Sequence, residues 1–109
     1  MKSDRLQVLV VTDSTVPKCQ AECGTDWSAT EHREELTSAV RAKFADSAIV
    51  AFLDMATPPA EDSVTTRRLI ASKGWGVPLL LIDGERRIEG TFDIRMALDM
   101  IQVALEMRG

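Results

Sequence analysis

The chain has 109 residues, of which 13 are Lys or Arg and 17 are Asp or Glu, so its formal net charge is −4. This is the length of one domain, and 45% apolar with 28% charged residues is an ordinary globular composition. No apolar run approaches the roughly 20 residues that cross a bilayer, and no basic cluster offers a nucleic-acid surface. Met1–Arg5 lead into a strand-like run without the long apolar region of a secretory signal. We therefore expect one cytoplasmic domain, residues 1–109, with no membrane or nucleic-acid partner.

The first half of the chain predicts two strands and two helices. Leu6–Val11 and Ala48–Leu53 are continuous apolar runs, as in strands that are buried on both faces. A helical pattern with one apolar side lies between them, from about Thr25 to Ala45. A weaker helical pattern follows at Glu61–Ser72. Strands that alternate with helices favour parallel neighbours.

The second half predicts a hairpin and a final helix. Leu79–Ile82 is a third apolar run, and Asp83-Gly84 after it is a strong signal for a two-residue turn. Arg86–Glu89 is the predicted return strand, and the last helix starts near Asp93. The fold class is therefore α/β, with a mixed four-stranded sheet flanked by about three helices.

The only two cysteines, Cys19 and Cys23, follow the first strand, at the predicted start of the first helix. Four helical residues rise about 6 Å, near the upper limit of the span of a disulfide, so the pair can close with slight unwinding. A helix amino terminus and the adjacent Lys18 would lower the pKa of Cys19, whereas Glu22 acts in the opposite direction on Cys23. Cys19 is thus the candidate nucleophile and Cys23 the resolving thiol. The alternative is that both are small buried side chains.

Val77-Pro78 and Trp75 are the candidate substrate-binding residues, just before the third strand. A proline fits the start of a strand on local grounds alone. Beside the cysteines, however, a cis Val-Pro bond would hold a backbone edge open to a disulfide partner, and the sequence does not decide between cis and trans.

Three further residues have both a functional and an ordinary interpretation. Trp27, like Trp75, could line a groove or simply pack in the core, and Asp13 could accept a proton from the resolving thiol or cap a turn. His32, the only histidine, fits a boundary position one helical turn before Leu36.

The dithiol after the first strand, Gly76-Val77-Pro78 and the Asp83-Gly84 hairpin ended by Gly90 resemble the thioredoxin fold over residues 6–106. The chain is similar to the arsenic-operon metallochaperone and repressor family (ArsD) at Cys23-Gly24-Thr25-Asp26 and at Pro78–Glu85 with Gly90 and Arg95. It also resembles the small YuzD-like disulfide oxidoreductases in length, in element order and in its close cysteine pair.

The thioredoxin resemblance implies thiol–disulfide exchange with a protein disulfide or thiol partner and no cofactor. The ArsD resemblance implies binding of As(III), Sb(III) or another soft metal. That family uses three thiolates, an adjacent pair and a third that Cys23 matches, whereas Pro17 and Lys18 occupy the places of the pair. In that interpretation Cys19 and Cys23 supply two ligands. A third possibility is a non-catalytic binding module.

The last helix has two apolar stripes. The first is predicted to bury against the sheet, and it consists of Ile94, Ala97, Leu98, Ile101 and Leu105. The second predicts a homodimer contact, because one packed face needs only one stripe, and it consists of Met96, Met100, Val103 and Met107. The alternative is that the second stripe packs within the same chain.

Overall fold

The described residues form four strands and three helices in the order strand, helix, strand, helix, strand, strand, helix. The computed structural model describes residues 5–13, 27, 29–56, 64–90 and 92–108, so Cys19 and Cys23 lie outside the described residues. The elements are β1 (Leu6–Thr12), α1 (Thr30–Phe44), a short 3₁₀ turn (Ala45–Ser47), β2 (Ala48–Asp54), α2 (Val64–Lys73), β3 (Leu79–Ile82), β4 (Glu85–Glu89) and α3 (Ile94–Arg108).

The strands form one mixed sheet in the order β2-β1-β3-β4. Strand β1 is parallel to β2 and antiparallel to β3, and β3 is antiparallel to β4. This confirms the predicted mixed four-stranded sheet with three helices. We call the end of the sheet that contains Thr12, Asp54, Leu79 and Glu89 the Pro78 end. The opposite end carries the Asp83-Gly84 turn.

Side chains of β1 are buried on both faces, as the continuous apolar run predicted. Val8 and Val10 belong to a cluster with residues of α1 and α3, whereas Val11 belongs to a second cluster with Ile70 of α2. Helices α1 and α3 therefore cover one face of the sheet, and α2 packs on the other.

The first helix begins later than predicted. Helix α1 starts at Thr30 rather than Thr25, because Trp27 is in a turn and Ala29 has an extended backbone with φ −82° and ψ 128°. The Trp27 carbonyl accepts a 2.6 Å hydrogen bond from Nε of Arg33, which fixes the chain just before the helix. The helix start that we expected beside Cys19 and Cys23 is therefore not the start of α1.

The hairpin and its turn are as predicted. Asp83 and Gly84 have φ values of 52° and 82°, the positive angles that a tight two-residue turn requires. Gln7 N–H donates to Oδ1 of Asp83 over 2.9 Å, so the turn is also joined to the start of β1.

Helix α3 buries the predicted face. Ala97 and Ile101 are fully buried, and Ile94, Leu98 and Leu105 pack partly buried against the same cluster. The second stripe is divided. Its exposed members are Met96, Val103 and Met107, whereas Met100 packs partly buried against the core, as the alternative expected of the whole stripe. In the described ranges, no helix has the length and apolarity to cross a membrane.

Candidate functional site

The strand pairing brings four chain segments to the Pro78 end of the sheet. Thr12 pairs with Asp54 in the parallel ladder, Val11 pairs with Leu79, and Leu79 pairs with Glu89. The carboxyl ends of β1, β2 and β4 and the amino end of β3 therefore meet here. Val77-Pro78 directly precedes β3, so the proposed substrate-binding segment lies beside the end of β1.

The described residues on either side of the cysteine segment are its two anchors. They are Asp13, directly after β1, and the buried Trp27. Cys23 is four residues before Trp27, and four residues of chain span at most about 14 Å. Cys19 and Cys23 themselves lie outside the described residues, so their environment stays a prediction.

Trp27 fixes the second anchor to the Pro78 end. Its indole is 1% exposed, and Nε1 donates a buried 3.1 Å hydrogen bond to the carbonyl of Phe92, three residues beyond β4. Its ring stacks on Phe92 at 5.1 Å and on Phe52 of β2 at 6.5 Å between centroids. Trp27 is thus a core side chain rather than the lining of a groove.

Val77-Pro78 has a cis peptide bond. Both residues are half-buried, and Val77 packs against the cluster on the α2 face. Gly90 N–H donates to the Pro78 carbonyl over 2.8 Å, which joins this segment to the end of β4.

A second set of contacts holds the segment just before Val77. Glu89 accepts two hydrogen bonds, one at Oε2 from Gly76 N–H at 2.7 Å and one at Oε1 from Nη1 of Arg86 at 2.8 Å. The Arg86 guanidinium carbon is 5.5 Å from the ring centroid of Trp75, in cation–π geometry. We call Trp75, Gly76, Arg86 and Glu89 the Glu89 clamp.

The close approach of the Glu89 carboxylate explains why a glycine suits position 76. A Cβ atom at Gly76 would lie 3.3 Å from Oε2 of Glu89, which is a tight contact. Trp75 was selected from the sequence, whereas Glu89 and Arg86 were missed. The available signal was the presence of four charged residues of both signs in the return strand of the hairpin that follows Gly-Trp-Gly-Val-Pro.

Two other candidates occupy defined positions. Asp13 is half-buried and follows β1 at the Pro78 end, where the cysteine segment begins. His32 is half-buried in the first turn of α1, before the buried Leu36. Within residues 5–13, 27, 29–56, 64–90 and 92–108, no three His, Cys, Asp or Glu side chains are grouped as metal ligands.

Comparison with known proteins supports the fold alone. No protein-family model matches the chain, and no curated protein matches its sequence. The chain is similar in structure to a crystal structure of a protein of unknown function from Staphylococcus aureus, with a TM-score of 0.60 and 14% identity. The match covers 93% of this chain and 92% of that one. The resemblances to the ArsD and YuzD-like families stay predictions.

Proposed function

We propose that this is a thioredoxin-like protein that exchanges thiols and disulfides through Cys19 and Cys23. The observation that carries the proposal is the anchoring of the cysteine segment. The segment begins at Asp13 and returns at Trp27, and both anchors are at the end of the sheet where Val77-Pro78 lies. In this proposal the two cysteines, which lie between these anchors in sequence, are within reach of a protein partner that contacts the Val77-Pro78 backbone.

The exchange takes place in two balanced steps. The Cys19 thiolate attacks one sulfur of the partner disulfide, which forms a mixed disulfide and releases one partner thiolate. The Cys23 thiolate then attacks the Cys19 sulfur, closes the Cys19–Cys23 disulfide and releases the second partner thiolate. Two electrons pass from the pair to the partner, and no cofactor is needed.

Val77, Pro78 and Trp75 are the proposed contacts to the partner chain. All three are half-buried, so each presents some surface while it is held by packing. The Glu89 clamp fixes Gly76 and Trp75 from the side of β4, and the Gly90 hydrogen bond fixes Pro78. This surface is therefore preorganised, which reduces the ordering entropy that binding costs.

We place this exchange in the cytoplasm. Two cysteines are too few for the disulfide framework of a small secreted domain, and reduced thiols are the ordinary state of cytoplasmic cysteines.

Trapping of the mixed disulfide tests the proposal. The Cys23→Ser variant lacks the resolving thiol and should accumulate a covalent adduct with a peptide disulfide, which non-reducing electrophoresis and mass spectrometry detect. The matched variant Cys19→Ser should form at least about ten-fold less adduct. Equal trapping by both variants, or none by either, contradicts the assignment. Thiol-dependent binding of arsenite by the wild type, without any trapping, would instead favour the metalloid function.

A further inference from the structure

Among the residues that the structure describes, no strand covers the outer side of β2, which is an apolar edge. Strand β2 is an edge strand, because the order of the described strands is β2-β1-β3-β4 and only β1 pairs with β2. Residues 48–53 carry no charge, Ala51 is exposed, and Ile49 is 41% exposed. Natural proteins commonly protect such edges with charges, prolines or bulges, because unpaired backbone groups recruit another strand.

The hydrogen-bond ladder shows which backbone groups are outermost. Met55 N–H donates to the Thr12 carbonyl over 2.7 Å, so the odd-numbered residues of β2 direct their backbone groups toward β1. The even-numbered residues direct theirs outward. One of these outward carbonyls, that of Asp54, accepts a 3.3 Å hydrogen bond from Nη2 of Arg67. The N–H and C=O groups of Val50 and Phe52 thus form the middle of the edge.

We propose that β2 pairs antiparallel with β2 of a second copy, about a two-fold axis at Ala51. This pairing joins the two four-stranded sheets into one of eight strands. Val50 and Phe52 of one copy lie opposite Phe52 and Val50 of the other, and each opposed pair exchanges two hydrogen bonds. Ala51 lies opposite itself in a non-hydrogen-bonded pair, where Cα atoms approach to about 4.5 Å and a small side chain fits.

The side chains of this register are self-complementary. Ile49 lies opposite Leu53 of the second copy on the face of α2, and Val50 lies opposite Phe52 on the face of α1. Every residue from 49 to 53 therefore meets an apolar residue, and no like charges oppose each other. A second copy of the chain therefore provides an apolar residue opposite each of residues 49 to 53, and no other protein is needed for the pairing.

The second apolar stripe of α3, with its exposed Met96, Val103 and Met107, is a less favourable dimer interface. Its spacing of four, three and four residues (96, 100, 103 and 107) is that of a coiled-coil seam. An antiparallel pair on this seam would set Asp99 beside Glu106 of the second copy, and like charges there oppose association. The β2 edge has no such opposition.

A pair of lysine variants distinguishes the two surfaces. Ile49 and Val103 are 41% and 43% exposed, so a lysine at either position leaves the domain folded. Sedimentation of the full chain at 10 to 500 µM should give twice the 12.0 kDa of one chain for the wild type and for Val103→Lys. Ile49→Lys should weaken the dimer at least ten-fold, with unchanged circular dichroism. A monomeric wild type, a dimer that survives Ile49→Lys, or one lost in Val103→Lys overturns the proposal.

Cross-linking at the axis gives an independent test. In the Cys19→Ser/Cys23→Ser chain, Ala51→Cys should form a covalent dimer when diamide oxidises its thiol, because a Cα separation of about 4.5 Å is within the range of a disulfide. Val103→Cys is the matched control and should form at least ten-fold less dimer. Equal rates for the two variants would overturn the pairing at Ala51. Since no native cysteine is present, this result is independent of the proposed thiol exchange.

Discussion

Strand β2 has no charged residue from Ala48 to Leu53, whereas four of the five residues of β4 are charged. These are the two outer strands of one sheet. On β4 the charges pair with each other, as Arg86 with Glu89 and Arg87 with Glu85, and the β3–β4 register shifts after Leu80. Both features disfavour the addition of another strand. Glu89 also accepts the hydrogen bond from Gly76 N–H, next to Val77-Pro78.

The difference indicates a division of tasks within one sheet. The charges and the register shift of β4 disfavour strand pairing there, and Glu89 supports the candidate exchange site. The outer side of β2 is apolar from Ala48 to Leu53, and no strand of the described residues pairs with it. Substitutions on the two strands should therefore have different effects.

Proline substitutions in β2 should give the largest effect. Ala51→Pro removes a donor that faces β1, so a ladder hydrogen bond is lost and its acceptor is left unpaired, which costs about 1–3 kcal/mol in addition to the steric effect of the ring. Val50→Pro removes only an outward donor, so it should cost about 1–3 kcal/mol less, with Val50→Ala as the reference for the lost side chain. Urea unfolding at concentrations below dimer formation measures both values. Equal costs would show that the assignment of inner and outer residues is wrong.

Truncation of Ile88 should have the next largest effect. Ile88 is the only residue of β4 that packs on the core, and it is half-buried. Ile88→Ala should therefore reduce the free energy of unfolding by about 2 kcal/mol, at the lower end of aliphatic truncations. Its neighbour Arg87 pairs with Glu85 at the surface, so Arg87→Ala should change stability by at most about 0.5 kcal/mol. Thermal unfolding that ranks Arg87→Ala as the more damaging variant would contradict this account of the edge.

The smallest effect is expected at the Glu89 clamp. Glu89→Gln weakens a charge-assisted hydrogen bond to Gly76 N–H and the ion pair with Arg86, and partial exposure reduces the loss to about 1 kcal/mol. Glu85→Gln on the same strand is the matched control, because the Glu85 side chain is 71% exposed and it should change stability by about 0.3 kcal/mol or less.

The clamp also predicts a kinetic difference. Because Glu89 acts on the position of Gly76 and Val77, Glu89→Gln should raise KM for a peptide disulfide several-fold while kcat changes little. Glu85→Gln should leave both parameters unchanged. A lower kcat with constant KM would mean that Glu89 does not act by positioning the partner-binding segment.

Local patterns predicted the elements, whereas long-range contacts determined where some of them start. Leu79–Ile82 and the Asp83-Gly84 turn were correct because a short apolar run and a positive-φ dipeptide are local signals. The start of α1 was wrong because Trp27 is fixed by Phe92, 65 residues away in sequence. No local signal reports such a contact.

The candidate site was predictable in part for the same reason. Val77-Pro78 and Trp75 were selected from sequence, and the sheet places Val77-Pro78 beside the end of β1. The role of Glu89 depends on β3–β4 pairing and on Gly76, which a linear pattern does not encode, and the sequence left open whether Val77-Pro78 is cis or trans. The uncharged run Ala48–Leu53 was recognised as a strand, but its edge position follows only from the strand order.

The redox potential of the Cys19–Cys23 couple tests the proposed function most directly. Equilibration of the full chain with glutathione or dithiothreitol mixtures, followed by acid quenching and mass spectrometry, measures the fraction of closed pair. We predict a single two-electron transition between about −270 and −120 mV, the range of exchange proteins. A pair that never closes, or one that stays closed below about −300 mV as structural disulfides do, would contradict thiol–disulfide exchange at these residues.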